Sequence, residues 1–238
     1  MKLIIANTTE QMSQLALNIV VSEMLNDKRV NLSLTAGNSP KRFYELLIPV
    51  INSIGQFDNV HYFNFDEIGI LNREVGITMD SLNKIYFDHV NVAEDNIHMF
   101  SENNYINYDN YIEQQGGLDL VLMGLGTDGH FCGNMPGCNF TDKITSFVIE
   151  KESEMYKGLL HYTGGLEPSG FVATFGPSTI MQAKKLLMIV NGKEKAKILK
   201  ELIESTVTNQ LPSSILKTHP NFILIADEDA ASELEVYR

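Results

Sequence analysis

Short apolar runs and helical stripes alternate along most of the chain. Leu3-Ile4-Ile5 reads as a strand, and Met12, Leu15, Ala16, Ile19, Val20 and Met24 then recur at helical spacing. A strand over 30–34 precedes Ser39-Pro40, a capping hydroxyl followed by a proline suited to the first helical position. Phe43, Leu46, Leu47, Val50, Ile51 and Ile54 form the stripe of the helix that follows. The pattern then predicts strands over 60–65 and 97–100, with a helix over 82–87 between them. The run 118–125 is almost continuously apolar, as in a strand buried on both faces. Further strands are expected over 170–175, 186–190 and 222–226, with a helix over 193–204; 136–168 has the least regular pattern.

Strand–helix alternation predicts parallel βαβ units with helices on both faces of the sheet. There is no internal repeat, low-complexity tract or Pro/Gly/Ser-rich linker, so 1–238 is read as one domain. With 44% hydrophobic residues, a chain of this length buries a substantial core. The net charge of −12 argues against nucleic acid, whose phosphates need a basic footprint, and against anionic membranes. An anionic small molecule would have to find its positive potential locally. The two cysteines, Cys132 and Cys138, have neither CxxC spacing nor a zinc-type cluster around them, which fits a reducing compartment. The opening residues turn polar by Asn7 without a signal-type apolar region, and no run is long enough for a membrane span. The expected location is cytoplasmic.

In open α/β sheets, ligands sit beyond the carboxyl ends of the strands. Three segments with distinctive chemistry fall there. Thr35-Ala36-Gly37-Asn38-Ser39-Pro40 joins a strand to a helix. Gly37 allows close backbone approach, the helix start favours an anion, and the hydroxyls of Thr35 and Ser39 add donors. The spacing is not that of a Walker loop, and taken alone it is also how a capped helix starts. Asp66 and Glu67 follow the strand over 60–65. A carboxylate there, partly buried, becomes a useful base; alone, the pair also reads as a helix cap beside a solvated acid. Gly124-Leu125-Gly126-Thr127-Asp128-Gly129-His130 carries the strongest signal. Its glycines are poor packing material but suit a tight loop that exposes an imidazole, with Asp128 placed to orient His130.

Other candidates are weaker. Lys195 opens a helix and is otherwise an ordinary surface lysine. His219 reads as a structural hydrogen-bonding residue. Neither cysteine has a base partner for nucleophilic work, and Asp66, Asp128, His130 and His219 are too scattered for a metal site.

Together these motifs resemble the glucosamine-6-phosphate deaminase/isomerase family and its relatives, the 6-phosphogluconolactonases. The resemblance runs from Leu3 to about Ala226. Residues 34–40 resemble the family's sugar-phosphate loop. Asn64-Phe65-Asp66-Glu67 resembles the deaminases' Asn-Met-Asp-Glu, and 124–130 resembles their Gly-x-Gly-x-Asp-Gly-His. Residues 86–90, and Leu216 with His219-Pro220, are also similar to deaminase stretches.

The resemblance implies a modified Rossmann-like three-layer α/β/α fold with a mostly parallel sheet, no cofactor and no metal, and a phosphorylated sugar as substrate. It implies hydrolase or isomerase chemistry on an amino-sugar phosphate. Asp66 would shuttle a proton between C2 and C1, with Glu67 beside it. His130, held by Asp128, would open the sugar ring. Lys195 would join Thr35, Gly37, Asn38 and Ser39 around the phosphate. Homo-oligomerisation is left open.

Two departures stand out. Met135 takes the place of a family glutamate, and Pro136-Gly137 follows it as in the lactonases. Against a lactonase, Ile68 rather than arginine follows the Asp-Glu pair. No arginine lies between Arg73 and Arg238, so the family's phosphate-binding arginine is missing. Lactone hydrolysis with His130 activating water is the alternative activity. A sugar-phosphate-binding module without turnover is the alternative class.

Overall fold

The most apolar runs become the middle of the sheet. In the computed structural model, which describes residues 1–55 and 57–235, all four side chains of strand Leu120–Met123 are fully buried. In chain order the first elements are β1 (Lys2–Ala6), α1 (Thr9–Met24), β2 (Val30–Ser33), α2 (Lys41–Ile54), β3 (Val60–Phe63), β4 (Asp66–Ile70), α3 (Ile77–Ile85), β5 (Ile97–His98) and α4 (Tyr108–Gln114). There follow β6 (Leu120–Met123), β7 (Thr145–Val148), α5 (Glu154–Tyr162), β8 (Pro168–Thr174), α6 (Pro177–Ile180), β9 (Lys185–Val190), α7 (Ala196–Glu204) and β10 (Phe222–Asp227).

Seven strands form a parallel sheet in the order β1-β10-β9-β6-β2-β3-β5. Successive residues of a strand point to opposite faces, and the two halves of the core follow that parity. Leu120, Leu122, Leu187 and Ile189 pack with residues of α1, α2 and α3. Val121, Met123, Leu186 and Met188 pack on the other face with residues of α4, α6 and α7. The expected layering of helices on both faces is therefore present.

A second, antiparallel sheet of order β4-β8-β7 was not expected. The strand foreseen over 60–65 ends at Phe63, and the chain turns at Asn64 and Phe65 into β4. Buried Asn64 fixes this bend: its amide donates to the carbonyls of Asp66 and Phe100 at 3.0 and 3.1 Å, and Phe100 N–H donates back at 2.8 Å. The strand foreseen over 170–175 does form, as β8, but in this small sheet. α5 packs on it through Tyr156, which meets Ile149 and Val172. Pro40 caps α2 rather than occupying its first turn. The helix expected over 82–87 begins at Ile77 and gives way to a 3₁₀ turn at Phe87. No helix among the described residues is long and apolar enough to cross a membrane.

The main sheet places a site by its connectivity. From β2 the chain moves outward through β3 to β5; from β6 it moves the other way, through β9 to β10. The strand order thus reverses between β2 and β6, and the loops leaving these two strands diverge to open a crevice.

Candidate active site

A cleft of about 320 Å³ occupies that crevice. The loop after β2 lines one wall through Thr35, Gly37, Asn38 and Ser39. Asp66, at the start of β4, forms part of the floor. The loop after β6 contributes Gly124, Gly126, Thr127 and His130, and Lys195 enters from the segment after β9. Seven of the nine site residues expected from the sequence line one cavity; Asp128 and Glu67 do not.

The β2 loop turns at Gly37, whose φ of 93° is left-handed. Buried Tyr44 donates its hydroxyl to the Thr35 carbonyl at 2.7 Å, tying the loop to α2. No side chain caps α2, and its N-cap residue Pro40 lines the cleft beside Ser39, so the positive end of the helix dipole lies at the cleft edge. Among the described residues lining the cleft, Lys195 alone is cationic. Its half-burial lowers its pKa from the ordinary lysine value, while Glu194 and Asp128 pull the other way.

Adjacent residues of a strand face opposite ways, and β4 divides its two acids accordingly. Asp66 faces the cleft and accepts the Thr78 hydroxyl at 2.9 Å. Burial pushes its carboxyl from 3.8 up to about 6, with the Thr78 hydrogen bond and His130 pulling back. Glu67 is 3% exposed and turns toward α3. It accepts N–H groups from Ile68 at 2.9 Å, Thr78 at 2.8 Å and Met79 at 3.1 Å. Thr78 and Met79 belong to the first turn of α3, so Glu67 is the acid that caps this helix. Burial pushes it up to about 8 against the pull of these three donors. Glu67, expected beside Asp66 in the site, thus lies outside the cleft lining: it bonds the helix that carries Thr78, and Thr78 in turn bonds Asp66.

Asp128, at the rim, takes two hydrogen bonds on one oxygen. The His130 backbone N–H donates at 3.1 Å, and ring Nδ1 lies 2.6 Å away. Burial raises the Asp128 pKa, but its contacts with His130 outweigh burial and hold it below the ordinary value. An ionised Asp128 accepts only, so Nδ1 carries the proton and Nε2 is left to exchange one. Gly126 makes room for the ring, since a β-carbon there would lie 2.2 Å from His130 Nδ1.

Cys132 also lines the cleft, at a φ of 50° uncommon outside glycine. The turn is held by the Gly133 N–H on Thr174 Oγ1 at 2.8 Å and by the Asn134 amide on the Phe131 and Phe175 carbonyls. Burial, and then the charge of Asp66, push the thiol well above its ordinary range. It is a neutral thiol in the wall beside Asp66. Met135 does not line the cleft. His219 is buried, donates Nε2–H to the Ala183 carbonyl at 2.9 Å and accepts Asn221 N–H on Nδ1; it is structural, as expected. Sequence reasoning missed Cys132 as a site residue on the cleft wall and Thr78 as the partner of Asp66 from outside the cleft lining. Cys132 is signalled only by its place after His130, and Thr78 by nothing local.

A carboxylate of raised proton affinity, an oriented imidazole and the start of a helix thus line one cavity. The sequence profile of the glucosamine-6-phosphate isomerases/6-phosphogluconolactonase family matches residues 6–224. The chain belongs to this family. It is 34% identical to the glucosamine-6-phosphate deaminase of Shouchella clausii, over 98% of this chain and 97% of that one. It is 30% identical to the deaminase of Clostridium botulinum strain Eklund 17B, with the same coverage. Among solved structures, a monomeric glucosamine-6-phosphate deaminase superposes with a TM-score of 0.86 at 24% identity, covering 98% of this chain and 100% of that one. The 6-phosphogluconolactonase of Trypanosoma cruzi superposes at 0.76 with 19% identity, covering 98% and 97%. The fold is therefore common to both branches of the family.

Proposed function

We propose that this family member converts glucosamine 6-phosphate, or a closely related amino-sugar phosphate, to fructose 6-phosphate and ammonia. The observation that carries the reading is Asp66: a carboxylate of raised proton affinity in the same cleft as an Asp-oriented histidine. The identity to curated deaminases over the whole chain supports it.

The substrate phosphate rests on the Thr35–Ser39 loop, the start of α2 and Lys195. His130 takes the C1 hydroxyl proton and delivers a proton to the ring oxygen, which opens the ring to an aldehyde. The C2 hydrogen is now acidic. Asp66 removes it and returns it at C1, while one proton of the amino group passes to the C1 oxygen through His130, leaving a C2 imine and a C1 hydroxyl. Water adds to that carbon, ammonia leaves, and the ketose remains. The defining step is an aldose-to-ketose isomerisation with loss of ammonia, not hydrolysis of an ester or lactone. Each proton transfer needs a group that both takes and gives a proton, and Asp66, pushed up to about 6, is suited to that work. The reading takes 1–238 as one domain acting in the cytoplasm.

This account makes turnover fall on the acid side of about pH 6, where Asp66 becomes protonated and stops acting as a base. The limb is read in kcat, because the substrate's own phosphate titrates in the same range and affects KM. Thr78→Val removes the hydrogen bond that favours the ionised carboxylate, so the limb moves to higher pH. A limb unmoved by Thr78→Val contradicts the assignment of Asp66 as the base.

A further inference from the structure

Asp227 ends β10 at the carboxyl edge of the sheet and is 2% exposed. Its carboxylate draws together three separate segments. Thr9 Oγ1, in the first turn of α1, donates to Oδ2 at 2.6 Å. Gly192 N–H, just after β9, reaches Oδ1 at 3.1 Å and Oδ2 at 3.3 Å. Ala230 N–H donates to Oδ1 at 2.9 Å. A buried charge is costly unless donors and dipoles surround it; here they do, with the positive end of the sixteen-residue α1 at Thr9. A turn cap for Ala230 alone would need one neutral acceptor. The second oxygen is occupied by Thr9 and Gly192.

Gly192 links this carboxylate to the cleft. Its φ is 89°, and a β-carbon there would lie 2.5 Å from the Glu194 carboxylate. Its carbonyl accepts the Lys195 N–H at 3.0 Å, closing the 3₁₀ turn that precedes α7. Two successive hydrogen bonds therefore run from Asp227, through the Gly192 residue, to the Lys195 backbone.

We propose that Asp227 is the positioning residue that sets Lys195 against the substrate phosphate, by clamping Gly192 after β9. The proposal rests on the reading of Lys195 as a phosphate ligand. A displacement of about 1 Å is enough to weaken a positioned contact.

The test compares KM and kcat for glucosamine 6-phosphate, and competitive inhibition by inorganic phosphate, in Asp227→Ala, Asp227→Asn, Thr9→Val and Lys195→Ala. Asp227→Ala raises KM and the phosphate inhibition constant about tenfold, with kcat within about threefold of the parent. Asp227→Asn, which keeps one neutral acceptor, raises both about threefold. Thr9→Val lowers thermal stability but leaves KM unchanged, because the Gly192 clamp is intact. Placed in the Lys195→Ala background, either Asp227 change adds nothing further. If Asp227→Ala does not fold, the Asp227→Asn cycle decides. Effects of Asp227 and Lys195 that multiply, or a folded Asp227 variant with unchanged KM, overturn the proposal. An unchanged KM and phosphate inhibition in Lys195→Ala instead overturns the underlying reading of Lys195.

Discussion

Asp66→Asn reduces turnover of glucosamine 6-phosphate by about 10³-fold, the scale of a lost acid–base group, while leaving binding nearly intact. The amide still accepts the Thr78 hydroxyl at the same place, so the shape of the cleft is kept and only the proton acceptor is gone. The variant is also more stable at neutral pH. Asp66 titrates at 3.8 when unperturbed and at about 6 in the fold. The folded protein therefore holds this proton more tightly than the unfolded chain, and stability falls as pH rises from about 4 to about 6. Above that window the buried charge costs about 3 kcal/mol, which the neutral amide avoids. Thermal melts at pH 7.5 and pH 4 check this: the variant melts higher at pH 7.5, and the difference closes at pH 4. A variant that melts lower at pH 7.5 and also loses activity would mean that Asp66 is structural.

His130→Ala leaves a different residue of activity. Without the imidazole, ring opening falls back on the uncatalysed rate, while Asp66 still processes whatever open-chain aldehyde forms. The loss is about 10²–10³-fold at ordinary enzyme concentration. The diagnostic feature is saturation. As the variant's concentration is raised, the rate of product formation levels off at the rate of spontaneous opening, whereas the parent's rate keeps rising in proportion. Asp128→Asn gives a milder version, because the amide holds the ring less strongly than a carboxylate. A His130→Ala rate that stays proportional to enzyme would place the histidine outside the ring-opening step.

What could be read in advance follows from which residues face the core on both sides. β6 is apolar throughout, and β9 and β10 are apolar but for Lys185 and Asp227 at their ends, because helices cover both faces, so their runs and the loops that leave them were visible. β4 and β7 were not. β4 is two acids and a glycine between isoleucines, and β7 is mostly half-exposed, since the small antiparallel sheet has only one covered side. Missing β4 meant missing its alternation, which separates Asp66 in the cleft from Glu67 at the α3 cap. With the strand recognised, the parity of the two acids would have indicated that they cannot share one task. Thr78 and Asp227 act across gaps of twelve and 35 residues, and nothing local in the sequence pairs them with their partners. Met135 drew attention as a departure from the family motif, yet it does not line the cleft, while its near neighbour Cys132 does.

The most direct test of the central claim is an incubation of the purified protein with glucosamine 6-phosphate, following ammonia and fructose 6-phosphate together. The account predicts both products in equal amounts, lost together in Asp66→Asn. Neither product, with 6-phosphogluconolactone hydrolysed instead or no turnover of either compound despite a thermal shift with glucosamine 6-phosphate, would contradict it.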